Sequence, residues 1–347
     1  MATALYLTGG LNFVERKLDE AKFSLQQRPA TGDVVLVEID GRSLAELGIW
    51  PWPRRLHATV IERLLAAGAS RVAFDVDFSA YSASADDARL AAALAASKGK
   101  VVLPVFRQKA SNAAPASEYV DSLPALPFRD KAGLSNLNVF PSDDGRVRHL
   151  FADGVVDGAT YPGLAALLAG PGALPHPSFE IDFGIDPATV PRLSYSDVIS
   201  GRFDARRVAG KQVVIGSTAA ELGDMLAVPY RATLPGPLVH ILGYESIVQG
   251  RALQRGSETP VVALIILLVL GLGRLSERTS LDHALIAASV AALCVAASVC
   301  LIQANFPIVI DTVPLLLAIL LTFVATMSNR LDQRSRRRHV RLCDGRA

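Results

Sequence analysis

Cysteine is close to absent. The chain of 347 residues has three, Cys294, Cys300 and Cys343, and none in its first 256 residues. That stretch therefore has no disulfide framework and no cysteine metal site. Tryptophan is rarer still, with Trp50 and Trp52 alone. A charge of one sign is missing too. The 35 basic residues against 33 acidic ones leave +2, which offers no electrostatic case for nucleic acid. Also missing are a Walker lysine, a GxGxxG turn, an HExxH pair and a GxSxG elbow. No phosphotransfer histidine box, cyclase core, or GGDEF or EAL signature is present. No segment repeats at periods of about 20 to 50 residues.

What is abundant is uncharged apolar sequence, and it lies at one end. Residues 259–273, 284–310 and 312–329 carry no charge, with Asp311 alone between the last two. A membrane helix needs about 20 mainly apolar residues. The second and third runs reach that length, and the first does so between 258 and 275. The pattern predicts an all-α bundle of three transmembrane helices over residues 256–329. Arg330, Arg334, Arg336, Arg337, Arg338 and Arg341 crowd the end of the third helix and put that end in the cytoplasm. Counting back, the 303–307 turn is outside and the 273–283 loop, with Arg274 and Arg278, is inside. Residues before 258 are then outside, periplasmic in a diderm bacterium. The expected location is the inner membrane, crossed several times. The basic tail, residues 330–347, reads as a topogenic and lipid-headgroup patch rather than an RNA-binding one.

Residues 1–11, MATALYLTGGL, are too short to span and lack the basic start of a signal peptide. Residues 1–30 are expected to hold the remainder of a first span and a membrane-proximal helix. The alternative is that the later helices direct insertion and carry the preceding domain across. Residues 12–27 predict an amphipathic helix. Phe13, Val14, Leu18, Ala21 and Leu25 share one face, with Glu15, Lys17, Asp19 and Lys22 opposite.

Residues 31–255 read as one α/β domain with a mixed, largely parallel sheet and flanking helices. Residues 34–39 form an apolar β-branched run ending at Asp40, and Val72, Phe74 and Val76 form a second strand flanked by Asp75 and Asp77. Between them Val60, Ile61, Leu64 and Leu65 have helical spacing, and Gly68 stops the helix. A βαβ unit with a parallel pair is expected. Further on, a helix is expected over 86–97, strands at 101–105, 178–183 and 212–215, and helices at 161–168 and 237–251. A short helix at 194–199 is expected to be capped by Ser194. Residues 107–124 read as a loop. Residues 135–140 and 147–151, flanking PSDDGR, read as a hairpin.

Both strands of the βαβ unit put acids at their carboxyl ends, where open α/β sheets hold their sites. Asp40, Asp75 and Asp77 either meet to bind a divalent cation or cap helices and loop amides. The loop Trp50-Pro51-Trp52-Pro53-Arg54 is either a packing lid or a rigid ligand contact. GSTAAELGD, residues 216–224, is either an anion-binding turn or a structural one. His57, His149 and His240 do not cluster in sequence. The candidate ligand-binding set is Asp40, Ser43, Trp50, Trp52, Arg54, His57 and Asp75. No catalytic residue, metal site or cofactor is expected.

Four blocks carry a family resemblance. VEIDGRSLAELGIWPWPRRLHATVIERLLAAGASRVAFDVDFS resembles the leading block of the type-2 CHASE domain, with Gly41 where a second Asp is usual. LSNLNVFPSDDGRVRHL resembles its middle block, and SYSDVISG with GKQVVIGSTAAELGD its third. LPGPLVHILGYESIVQGRAL resembles the closing block, Pro237–His240 standing at the family's Gly-x-x-x-His segment. The blocks cover residues 12–255 in order. The resemblance implies an extracytoplasmic sensor feeding a cytoplasmic cyclase, kinase or cyclic-di-GMP enzyme, usually as a homodimer. No output domain follows the third helix here, so a lost output or a stand-alone receptor is expected. Its ligand would be a small molecule or an envelope component, and membrane lipids are a further partner. The rivals are a membrane-anchored periplasmic enzyme using Asp40, His57 and Asp75, and a subunit recruiting a separate kinase or cyclase.

Overall fold

The computed structural model describes residues 11–109, 119–174 and 176–344. The chain divides into two compact units. One is α/β, residues 27–253. The other is helical and combines the segment up to residue 26 with residues 254 onward.

The helical unit begins with α1, Asn12–Leu25. In the α/β unit β1, Val34–Ile39, leads into α2, Gly41–Leu47, then α3, Arg54–Ala66, and β2, Arg71–Asp75. Helix α4, Ser84–Ala96, connects to β3, Val101–Lys109. Strands β4, Tyr119–Ser122, and β5, Gly133–Asn136, follow, then α5, Leu164–Ala169. The unit closes with β6, Arg192–Ser194, α6, Tyr195–Ser200, β7, Gln212–Ser217, and α7, Gly236–Val248.

These seven strands form one sheet in the order β6-β1-β7-β2-β3, with β4 and β5 on β3. All pairings are parallel except β3 with β4. The expected βαβ unit exists, but its two strands are not neighbours. β7 lies between them, pairing Val214 with Leu36 on one side and with Ala73 on the other. A strand buried on both faces is apolar at every position, so its sequence cannot say which neighbour it takes.

Alternation sorts the side chains onto two faces. Val35, Val37, Ile39, Val72, Phe74, Val213 and Ile215 pack with residues of α3, α4 and α6 in one buried cluster. The intervening Val34, Leu36, Ala73 and Val214 are equally buried, on the face where α7 meets β7 and β1. Helix α7 is buried all round, its residues 236–247 included, as an apolar helix without a polar face must be.

Four local expectations change. Residues 106–109 and 119–122 are paired strands, not loop, and 110–118 lie outside the described residues. The PSDDGR turn is real, with Ser142 N donating to Arg146 O and Gly145 N to Ser142 O. An antiparallel bridge joins Pro141 and Val147 across it, but the strands beyond do not pair with each other. β5 pairs with β3, and His149–Phe151 pairs with Ser178–Glu180. Ser194 precedes α6 without capping it by its side chain. The fourth change is the face of α1. Glu15, Asp19 and Lys22 are buried, while Phe13, Val14 and Leu25 are exposed.

The helical unit continues with α8, Glu258–Arg278, α9, Leu281–Asn305, and α10, Val313–Asp344. The stretches Glu258–Arg278, Leu281–Asn305 and Val313–Gln333 are each long and apolar enough to cross a membrane. The remainder of a first span expected within residues 1–11 lies almost wholly outside the described residues.

Candidate functional site

The carboxyl ends of β1, β7 and β2 hold most of the predicted residues, in three separate groups. The first centres on Asp40, which caps α2. Its Oδ1 accepts from Ser43 N at 2.8 Å, from Ser43 Oγ at 2.5 Å and from Ser194 Oγ at 3.1 Å. Ser43 is fully buried, and its Oγ also accepts from Ser196 N at 3.1 Å. The hydroxyl expected to cap α6 thus turns to Asp40 instead, tying the edge strand β6 to β1. A cap of this kind stabilises by about 1 kcal/mol.

The second group is aromatic. Trp52 is buried, its Nε1 donates to Gly48 O at 3.0 Å, and its ring lies 4.8 Å from that of Tyr195. Trp50 meets it edge-on at 5.0 Å. His57 lies inside, between Phe74 at 5.8 Å, Phe78 at 5.4 Å and Trp50 at 6.1 Å, with Nδ1 2.8 Å from Tyr195 Oη. Burial, with the Arg54 charge nearby, lowers His57 to about 3. The ring is therefore neutral at physiological pH. Burial raises the Tyr195 hydroxyl well above its usual range, so it keeps its proton. Arg54 stacks over Phe78 at 4.5 Å and donates to Asp77 O and Ala80 O.

The third group lies on the opposite face of the sheet. Phe74 points to the aromatic cluster, so Asp75, next in the strand, points towards α7. Its partner there is Asp224. Burial, with the charge of Asp224 adding to it, raises Asp75 well above the carboxylate range, and burial raises Asp224 to about 6. Two like charges in one partly buried place disfavour the charged form. Two glycines make the room. A Cβ on Gly216 would stand 2.8 Å from Pro237 Cγ and 3.0 Å from Asp75 Cβ, and one on Gly236 would stand 2.5 Å from Asp224 Oδ1. The Asp224 carboxyl thereby reaches the amino end of α7 at Gly236.

The structure therefore joins Asp40 to Ser43, and Trp50, Trp52 and His57 to Arg54 through Phe78. It leaves Asp75 apart from both. The meeting of Asp40, Asp75 and Asp77 does not occur, since Asp77 bonds Ser79 N and Oγ in its own loop. Among the described residues no group of three or more His, Cys, Asp or Glu could hold a metal ion. The histidines stay apart. His149 pairs with Glu180 at 3.3 Å, and His240 bonds the Leu137 backbone, burial lowering it to about 4. The 216–224 stretch is a turn, with Thr218 N and Ala219 N donating to Ile39 O. Sequence reasoning missed Tyr195, Ser194 and Asp224. The small residues Gly216 and Gly236 were the one signal for the last.

The sequence model of one protein family, the CHASE2 domain, matches residues 1–275. No curated protein and no solved structure matches the chain.

Proposed function

The chain belongs to the CHASE2 domain family, and we propose on that basis that it is the membrane-anchored, extracytoplasmic input module of a bacterial signalling receptor. The observation that carries this reading is the layout. The chain passes between the α/β unit and the helical unit at two points, 26–27 and 253–254, and three candidate spans follow the second. The arginines beyond the third span and in the 273–283 loop favour a cytoplasmic carboxyl end in the inner membrane. The α/β unit is then periplasmic. Helix α10 runs without a break from the third span into the basic tail, which suits it to carry a change to a cytoplasmic cyclase or kinase, in a homodimer.

The module itself performs no chemistry in this reading. Asp40 is tied up by hydroxyls, His57 is held neutral inside aromatic rings, and Asp75 faces the other side of the sheet. These three do not share a substrate position, which argues against the enzyme alternative. Ligand contact, with a small molecule or envelope component, falls to the half-buried Asp40, Trp50 and Arg54, with Asp75 apart on the other face of the sheet. The buried Ser43, Trp52 and His57 hold them in place. A ligand acts only through a difference in affinity between two states. The test is labelling with a membrane-impermeant maleimide in intact spheroplasts. Glu221→Cys, on the α/β surface, should react, and Cys343 only after lysis. The reverse pattern would sink the proposal.

A further inference from the structure

Helix α1 is built inside out for water. Its buried side carries Glu15 and Lys22, each 4% exposed, and Asp19 at 8%, whereas Phe13 is 74% exposed, Leu25 78% and Val14 49%. Burying charge is costly unless it is paired. Here it is paired throughout. Glu15 accepts from Thr312 N at 2.8 Å and from Val313 N at 2.7 Å, so its carboxylate caps the third span. Lys22 Nζ lies 3.6 Å from Glu15 and 2.9 Å from Asp19, and donates to Ile310 O at 3.2 Å. Arg255 joins Asp19 at 3.3 Å and also pairs with Asp311. Glu15, Asp19 and Lys22, charges that an amphipathic helix usually presents to water, are used against the span ends.

The position of α1 follows from those bonds. Near its start, Glu15 reaches the first residue of α10. Just past its end, Gln26 Nε2 donates to Cys300 O at 3.0 Å, and Cys300 is five residues from the end of α9 at Asn305. A helix of 14 residues is about 21 Å long, and while its start lies level with the start of α10, its end lies only about 7.5 Å inside the end of α9. It therefore runs along the membrane face instead of standing up from it. The exposed side is then Phe13, Val14, Ala21 and Leu25, with Lys17 paired to Glu20 at 3.0 Å.

The geometry points to lipid acyl chains as what covers that side: α1 is an interfacial helix, its charged face locked to the spans and its apolar face in the bilayer, in the outer leaflet on the topology proposed above. Apolar residues on one face, sunk about 5–10 Å into the headgroup and acyl boundary, are what holds such a helix. Water is the poor alternative, because it would leave two large side chains three-quarters exposed beside a membrane. A second copy of the chain is the other.

The test uses the full chain in lipid vesicles, with Cys294→Ser, Cys300→Ser and Cys343→Ser, and single cysteines labelled with an environment-sensitive dye. Phe13→Cys and Leu25→Cys replace side chains that touch little protein, so the fold should tolerate both. Leu267→Cys on the first span is the lipid-facing reference and Glu221→Cys the aqueous one. Dye at 13 and 25 should lose emission to doxyl-labelled lipid as far as dye at 267 does, while 221 is unchanged. Quenching at 267 with none at 13 and 25 overturns the inference and leaves the spans standing. So does cross-linking between copies through cysteines at 13 or 25 without lipid quenching, which would assign the face to a second chain.

Discussion

The α/β unit and helix α1 solve the burial problem in opposite senses. In the first, Trp52, Phe74, Phe78 and Tyr195 are inside, and ion pairs such as Arg89–Glu62 stand in solvent, 44% exposed on each side. In α1 the charges of Glu15, Asp19 and Lys22 are inside beside Phe23, and Phe13, Val14 and Leu25 are outside. The same amphipathic pattern is used both ways, because a helix turns its apolar face towards whichever neighbour is least like water. In a soluble domain that neighbour is the core. Beside three apolar spans it is lipid.

The comparison is most severely tested by matched truncations. Trp52→Ala empties a site between Tyr195 and Trp50 and removes the bond to Gly48 O. A buried aromatic lost this way costs about 3–5 kcal/mol. Phe13→Ala removes a ring of similar chemistry with few protein neighbours and should cost under about 1 kcal/mol in detergent. Near-ultraviolet circular dichroism of the full chain against denaturant would read both. Equal losses would mean that Phe13 is packed as core, and the contrast would fail.

The next effect concerns the charges. Glu15→Ala leaves the amino end of α10 uncapped and Lys22 with Asp19 as its acidic partner. Breaking a buried pair costs about 3–5 kcal/mol when one charge is stranded. Because Asp19 remains, the lower end, about 3 kcal/mol, is expected. Glu62→Ala, which breaks an exposed pair, should cost about 1 kcal/mol at most and lose even that in high salt. Thermal unfolding in detergent at low and high salt separates the two. A salt-sensitive loss at Glu15 would show that its carboxylate is hydrated, contrary to its burial.

Much of this was readable from the residues, and the exceptions have a common cause. The strands at 34–39, 71–75 and 212–217, the helix at 54–66 and the three spans follow from local periodicity. What local pattern cannot hold is partner choice. Nothing in residues 212–217 says that they insert between two strands that are consecutive in the chain. PSDDGR specified its turn, yet the flanking strands took partners elsewhere. The candidate site shows the same limit. Asp40 with Ser43 is a local capping pair, and the Trp50–Arg54 loop was visible by composition. Tyr195, Ser194 and Asp224 reach the site only through the fold. For α1 the period gave two faces and had no means of saying which one was wet.

The smallest effect should come from pH, because two groups of buried ionisable residues oppose each other there. Asp224, at about 6 folded against about 3.9 unfolded, holds a proton more tightly in the native state. Its contribution is present in full below about pH 4 and is lost as pH rises through 6. Asp75 acts in the same direction. His57 and His240, lowered to about 3 and about 4 from an unfolded value of about 6.5, contribute stability above pH 6.5 that is lost as pH falls. Between pH 4 and 6 the two trends cancel in part, so the native chain should show a shallow dependence. Asp224→Asn weakens one side of the balance, leaving Asp75 alone on it. It should raise stability at pH 7 by on the order of 1–2 kcal/mol and steepen the loss on acidification. Melting temperatures of the full chain at half-unit steps from pH 4 to 8 would show this. Parallel curves for the variant and the parent would mean that Asp224 titrates as an ordinary exposed carboxylate.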